Sequence, residues 1–284
     1  MVSGNIVNSG KYRALQLLAA DLGYYEVGMS ATVPTVLDTA LGRKVPINGT
    51  SQCDSCDAIT GWTASGSNSV SLNTTNYKEG TGSLNLIKSD ATSAAINASK
   101  TTTSVDFTSA DFWVFVYISA SALAKLATST CLEIRFGSDS SNYYYKQYNL
   151  ADLAAGWNCL SFSSATATGT NGTPVIAACD YSMVKYTTTN ATDTTSAGDF
   201  VFDDLKVATA AAYLLPISAG YPVADATSDT MTSRVALAST DANGYPLVET
   251  GLFNATTMFS HDTFTLIDKN NTMEIIFEWI DVFE

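Results

Sequence analysis

Histidine occurs once in this chain, at His261, beside Asp262. A metal centre built on several histidines is therefore excluded. A Ser-His-Asp relay would need its acid on the same side as the imidazole, whereas adjacent residues of a strand point to opposite faces. No Gly-x-Ser-x-Gly elbow holds a nucleophile either. His261 reads as a polar strand residue near an interface rather than a catalytic base. Glycoside hydrolysis would need two carboxylates facing across a cleft, and no spacing singles out such a pair. The expectation is a protein that is not an enzyme.

Other chemistry-bearing residues suggest binding. Tyr143, Tyr144, Tyr145 and Tyr148 cluster in one short stretch, and sugar recognition uses aromatic faces on a rigid surface with a few polar partners. In a strand, Tyr143 and Tyr145 share one face and Tyr144 takes the other, so one set belongs to a core and the other is a glycan-binding candidate. Core packing or contact with a neighbouring subunit explains the same residues. Cys53 and Cys56 have CxxC spacing among five cysteines, but no second pair follows to complete a zinc site. Buried thiols or one disulfide remain open. From Phe200 to Val207, alternation places Val201, Asp203, Leu205 and Val207 on one face and Phe200, Phe202, Asp204 and Lys206 on the other. An acid in line with three aliphatic residues must be paired, hydrogen-bonded or bound to a cation.

These residues sit in a chain with the composition of strands. Only 14% of the 284 residues are charged, and Thr, Ser, Ala and Asn replace the usual Lys and Glu, which suits short strands joined by polar turns. The fold class expected is all-β. A net charge of −13 without a basic stripe excludes nucleic acid as a partner. No run of about 18 apolar residues suggests a membrane span, and residues 1–10 lack the regions of a signal peptide. One short helix is expected from about Lys11 to Leu22, capped by Asn8 or Ser9, with Tyr12, Leu15, Leu18, Ala19 and Leu22 at helical spacing. Asp111–Ser119 is almost continuously apolar, as in a strand covered on both faces, and Leu132–Phe136 with Tyr143–Tyr148 flanks a Gly-Ser-Asp-Ser-Ser-Asn turn.

Two resemblances organise the rest. The Val27-Gly28 strand, the Pro34 loop ending in Asp38-Thr39-Ala40-Leu41-Gly42, and the later Glu249-x-Gly251-Leu252-Phe253-Asn254 and Met258-Phe259-Ser260-His261 runs with a Trp279 strand resemble small phage tail and fibre-associated structural proteins. Between them, Lys78-x-Gly80-x-Gly82-Ser83-Leu84, Gly156-Trp157-Asn158-x-Leu160-Ser161-Phe162 and Phe202-Asp203-Asp204-Leu205-Lys206-Val207 resemble the jelly-roll sandwiches of carbohydrate-binding modules and their laminin-G-like relatives. The implied organisation is a split β frame with one N-terminal helix, residues 1–50 and 212–284, for virion attachment, carrying a jelly-roll β-sandwich inserted at 52–210.

The first resemblance implies a virion structural protein of a tailed phage, assembled in the host cytoplasm and released by lysis. Its partners would be copies of itself, other virion proteins and a host-surface glycan. The alternative is a non-viral carbohydrate-binding or adhesion protein without catalytic activity. The second resemblance implies a structural calcium held by Asp57, Glu79 and Asp203, with a hydrogen-bonded Asp203 as the competing reading. In the last strand Ile275, Phe277, Trp279 and Phe283 share one face, while Ile276, Ile280 and Val282 lie on the other beside Glu274 and Glu278. That second face needs cover from an oligomer interface.

Overall fold

The computed structural model describes residues 8–35, 38–225, 227, 230–254 and 257–282. The protein is all-β apart from one 14-residue helix and a few single turns. It divides into two compact units, one made of Met1–Gly49 with Ala211–Glu284 and the other of Thr50–Ala210.

The chain opens with α1 (Asn8–Asp21) and β1 (Tyr24–Gly28). The continuous unit then supplies β2 (Ser51–Asp54), β3 (Thr63–Ala64), β4 (Ser69–Asn73), β5 (Ser83–Ile87), β6 (Ala95–Val105), β7 (Ala110–Ile118) and the turn α2 (Ala120–Leu123). It continues with β8 (Leu132–Asp139), β9 (Asn142–Tyr148), β10 (Gly156–Ser163), β11 (Gly169–Asn171), β12 (Cys179–Thr187) and β13 (Phe200–Thr209). The first unit resumes with β14 (Leu215–Pro216), β15 (Val223–Asp225), β16 (Thr230–Leu237), β17 (Pro246–Phe253), β18 (Met258–Asp268) and β19 (Ile275–Val282).

The Thr50–Ala210 unit is a jelly-roll β-sandwich of two six-stranded antiparallel sheets. One runs β10-β7-β13-β5-β4 with β2 joined to β13, the other β11-β9-β8-β12-β6-β3. Alternation drives the packing. Phe112, Val114, Val116 and Ile118 of β7 face Leu132, Ile134 and Phe136 of β8 and Val184 and Tyr186 of β12 in one core. Two stacked ring pairs join the sheets, Phe112 with Phe136 at 4.4 Å and Tyr186 with Phe200 at 4.3 Å. Burial at this density contributes about 1.5–3 kcal/mol per large apolar side chain.

Simple alternation fails in β13. Its register against β7 shifts between Asp203 and Lys206, and Asp204 takes a positive φ of 50°. A short polar side chain tolerates the left-handed region, and the residue inserts a bulge. Phe200, Phe202, Leu205 and Val207 consequently all line the core, so the face expected to carry Asp203 with Leu205 and Val207 does not exist.

The split unit has a four-stranded sheet, β14-β1-β17-β18, and a three-stranded sheet, β15-β16-β19. Leu15 of α1 and Leu22, the residue after the helix, pack with Tyr25, Met231, Val235 and Leu252, and Phe277 and Trp279 close against them. The side chains of Asn8 and Ser9, expected as helix caps, and Phe283 lie outside the described residues. No helix among the described residues is long and apolar enough to cross a membrane.

Candidate functional site

The outer face of the second sandwich sheet gathers aromatic and charged side chains into one strip. Pairing of β8 with β9 sets Arg135 opposite Tyr145 and Gly137 opposite Tyr143, while pairing of β12 with β8 sets Tyr181 opposite Gly137 and Lys185 opposite Glu133. Tyr143 lies between Tyr145 and Tyr181, its ring centroid 6.3 Å from the first and 6.4 Å from the second. The Arg135 guanidinium sits over Tyr143 at 4.4 Å, an attractive cation–π placement. All three tyrosines are half-buried. Their edges are fixed by packing while part of each ring remains open to solvent, which lowers the entropy lost on stacking a ligand.

A charge network borders the strip. Arg135 Nη2 reaches Glu133 Oε1 at 2.6 Å, and Gln147 donates to Glu133 Oε2 at 2.7 Å. Lys185 Nζ stands 3.9 Å from the same carboxylate. Burial alone would raise the Glu133 carboxyl, but hydrogen bonds from Gln147 and Arg135 and the charges of Arg135 and Lys185 outweigh it and hold the group below its ordinary value. Glu133 therefore stays ionised, an acceptor beside a fan of donors.

Tyr143 and Tyr145 thus lie on this outer strip. Tyr144 and Tyr148 do not: both pack against the sandwich core, Tyr144 at 5.8 Å from Phe107, while the Tyr148 hydroxyl donates to the Ser161 carbonyl. They are removed as glycan candidates because Tyr144 pairs with Phe136, and Tyr148 with Leu132, on the inward face. Sequence reasoning missed Tyr181, Arg135, Glu133, Lys185 and Gln147. The signal was present in Leu132-Glu133-Ile134-Arg135-Phe136, whose strict alternation assigns the charged residues to the outside.

Asp57 and Asp203 bracket the 78–82 loop. Asp203 Oδ2 accepts the N–H groups of Lys78 at 2.7 Å and Glu79 at 3.1 Å, while Asp57 Oδ1 accepts those of Thr81 at 2.6 Å and Gly82 at 2.9 Å. Burial pushes Asp203 up to about 7 against these loop donors, and the neighbouring Asp204 and Asp57 carboxylates add to the rise. Its Oδ1 is buried without a hydrogen-bond partner. Concentrated negative charge around an orphaned oxygen suits a hard cation. Among the described residues no three His, Cys, Asp or Glu side chains form a metal cage, so a calcium here would draw further ligands from backbone carbonyls and water.

His261 serves structure rather than an exposed surface. Its Nδ1 lies 3.3 Å from Asp38 Oδ2 and its Nε2 3.2 Å from Glu249 Oε2, leaving neither nitrogen open to a substrate. All five cysteines are buried; burial raises the thiols of Cys53, Cys56, Cys131 and Cys179 above their ordinary value, which suppresses the reactive thiolate. Ile276, Ile280 and Val282 are exposed at 55%, 57% and 65%.

No family model matches the chain, and no curated protein sequence does. Among solved structures, the chain is similar to a family 11 carbohydrate-binding module from Clostridium thermocellum in complex with a β-1,3-1,4-mixed-linked tetrasaccharide, with 10% identity over 57% of this chain and 96% of that one and a TM-score of 0.40. A C-terminal family 22 carbohydrate-binding module of Clostridium thermocellum aligns at 20% identity over 56% of this chain and 92% of its own, with a TM-score of 0.33. A xylan-binding domain from Paenibacillus barcinonensis aligns at 11% identity over 56% and 97%, also at 0.33.

Proposed function

We propose that the Thr50–Ala210 sandwich is a non-catalytic carbohydrate-binding domain that seats a glycan along Tyr145, Tyr143 and Tyr181. The observation that supports this is the strip itself: three half-buried rings on one sheet face, Tyr143 neighbouring both Tyr145 and Tyr181, with Arg135 stacked on Tyr143. Pyranose rings expose C–H faces that stack on such surfaces, while Glu133, Gln147, Arg135 and Lys185 offer acceptors and donors to sugar hydroxyls. The strip is open rather than enclosed, which favours a run of several sugar units over a single small molecule. This reading replaces the tail-fibre one, which no structural relationship described above favours. A calcium held by Asp203 near the 78–82 loop would act as a structural ion, stabilising the loop.

A glycan array followed by calorimetric titration tests the proposal. Binding to at least one oligosaccharide, with Tyr145→Ala and Tyr181→Ala each weakening it by about tenfold or more, is the expected result. No binding across plant, microbial and animal glycans, or binding indifferent to both substitutions, would sink it.

A further inference from the structure

The outer face of the three-stranded sheet is apolar, and at its middle stand one cation and one anion. Register along β16 and β19 places Arg234 opposite Glu278, Thr232 opposite Ile280, Ala236 opposite Ile276 and Thr230 opposite Val282. β15 adds Val223 opposite Thr232. Val223 is 49% exposed, and the Ile276, Ile280 and Val282 side chains stand clear of the core on the same face. The alternate residues of β16, Met231, Ser233, Val235 and Leu237, are buried, so this face is not the one that packs within the unit. Among the described residues, neither Arg234 nor Glu278 makes an ion pair or side-chain hydrogen bond.

We infer that this face is a homodimer interface in which a second copy packs across a two-fold axis, Arg234 of each copy meeting Glu278 of the other. The charge arrangement selects this occupant. Two-fold symmetry makes a contact isologous, so a surface joins its own copy only if it is self-complementary. A face with one unpaired cation beside one unpaired anion meets that condition, because rotation brings each charge onto its opposite. A partner of uniform charge would satisfy one of the two and strand the other, at a cost once water is excluded. The surrounding Val223, Ile276, Ile280 and Val282 supply the apolar ring that shields the pairs. Three short strands make a small interface, in the range of weak and reversible association. Pairing two chains would also give one particle two glycan strips, turning modest single-site binding into avidity.

Sedimentation of the full chain across its soluble concentration range tests the inference, with circular dichroism to confirm folding. The wild type is expected to show a concentration-dependent monomer–dimer equilibrium. Arg234→Glu and Glu278→Arg are each expected to weaken it by about tenfold or more, since each sets like charges face to face. An equal mixture of the two single variants should associate again, because one then presents two acids and the other two bases; the double variant should self-associate as the wild type does. A wild type that stays monomeric throughout, or single variants that dimerise undiminished while folded, would overturn it. Failure of the mixture to associate would do the same, by showing that the charges do not meet across a two-fold axis. None of these readouts involves a glycan, so the outcome is separate from that of the carbohydrate reading.

Discussion

The hydroxyl of Tyr145 stands 2.5 Å from the position a β-carbon on Gly169 would occupy, with the ring's Cζ at 2.8 Å. The ring lies across β11 because residue 169 has no side chain. Gly169→Val should swing the ring off its neighbour and lower glycan affinity by about tenfold, the scale of one lost stacking contact, while leaving the melting temperature near that of the wild type. Titration calorimetry beside a thermal melt separates the two. Unchanged affinity in a folded variant would remove Tyr145 from the binding surface.

Asp203 makes a second prediction. Millimolar calcium should raise the melting temperature of the sandwich, since an ion bound only by the native state stabilises it by mass action, about 2.7 kcal/mol at a hundredfold excess over its dissociation constant. Asp203→Ala should erase the increment. A melting curve unmoved by calcium would leave Asp203 as an acid that serves only the amides of Lys78 and Glu79.

Glu26 sets a pH dependence in the split unit. Burial raises its carboxyl above the ordinary value, and Lys44, with Nζ 3.2 Å away, only partly offsets this. A carboxyl whose folded-state value is raised favours the native state while protonated. Its contribution is fully present below the unfolded-state value and is lost as pH rises through the folded-state value. Glu26→Gln, which keeps an acceptor for Lys44, should therefore stabilise the unit more at pH 8 than at pH 4. Equal effects at the two pH values in urea titrations would show that Glu26 carries no such linkage.

Much of the architecture was readable from pattern. The apolar run in β7 announces a strand covered on both sides, and Trp113 and Phe115 are buried although they point away from the core that holds Val114 and Val116. The Tyr143–Tyr145 set was separable from Tyr144 by alternation alone. Which set faces inward depends on hairpin register with Leu132 and Phe136, a non-local fact. β6 went unseen because Ala95–Val105 is mostly small and hydroxylated, with Ile96 and Ala98 its core contribution. Tyr181 escapes the pattern because Asp180 and Ser182 flank it at the start of β12, ahead of the apolar Met183 and Val184. The bulge at Asp204 has no period-two signature, since a single left-handed residue reverses the alternation after it.

The two units should carry separate lesions. Glu249, fully buried in the split unit, accepts the N–H groups of Ser30 at 2.9 Å, Gly42 at 3.0 Å and Arg43 at 2.8 Å besides facing His261. It thereby supplies acceptors to amides at both ends of the segment between Ser30 and Arg43. Glu249→Gln turns one acceptor oxygen into a donor aimed at other donors, which costs about 3 kcal/mol at a buried charged site. Lys88 plays the corresponding part in the sandwich, its buried ammonium donating to the carbonyls of Asp90 at 2.5 Å, Ala191 at 2.6 Å and Asp193 at 2.7 Å. Lys88→Met keeps the stem but strands three acceptors, at about 1–3 kcal/mol each before the loops relax. If each unit has its own core, calorimetry should resolve two transitions. Glu249→Gln would then lower one and Lys88→Met the other, with hydrogen exchange assigning each to residues 1–49 with 211–284 or to residues 50–210. A single transition moved equally by both substitutions would mean that the units melt as one cooperative body.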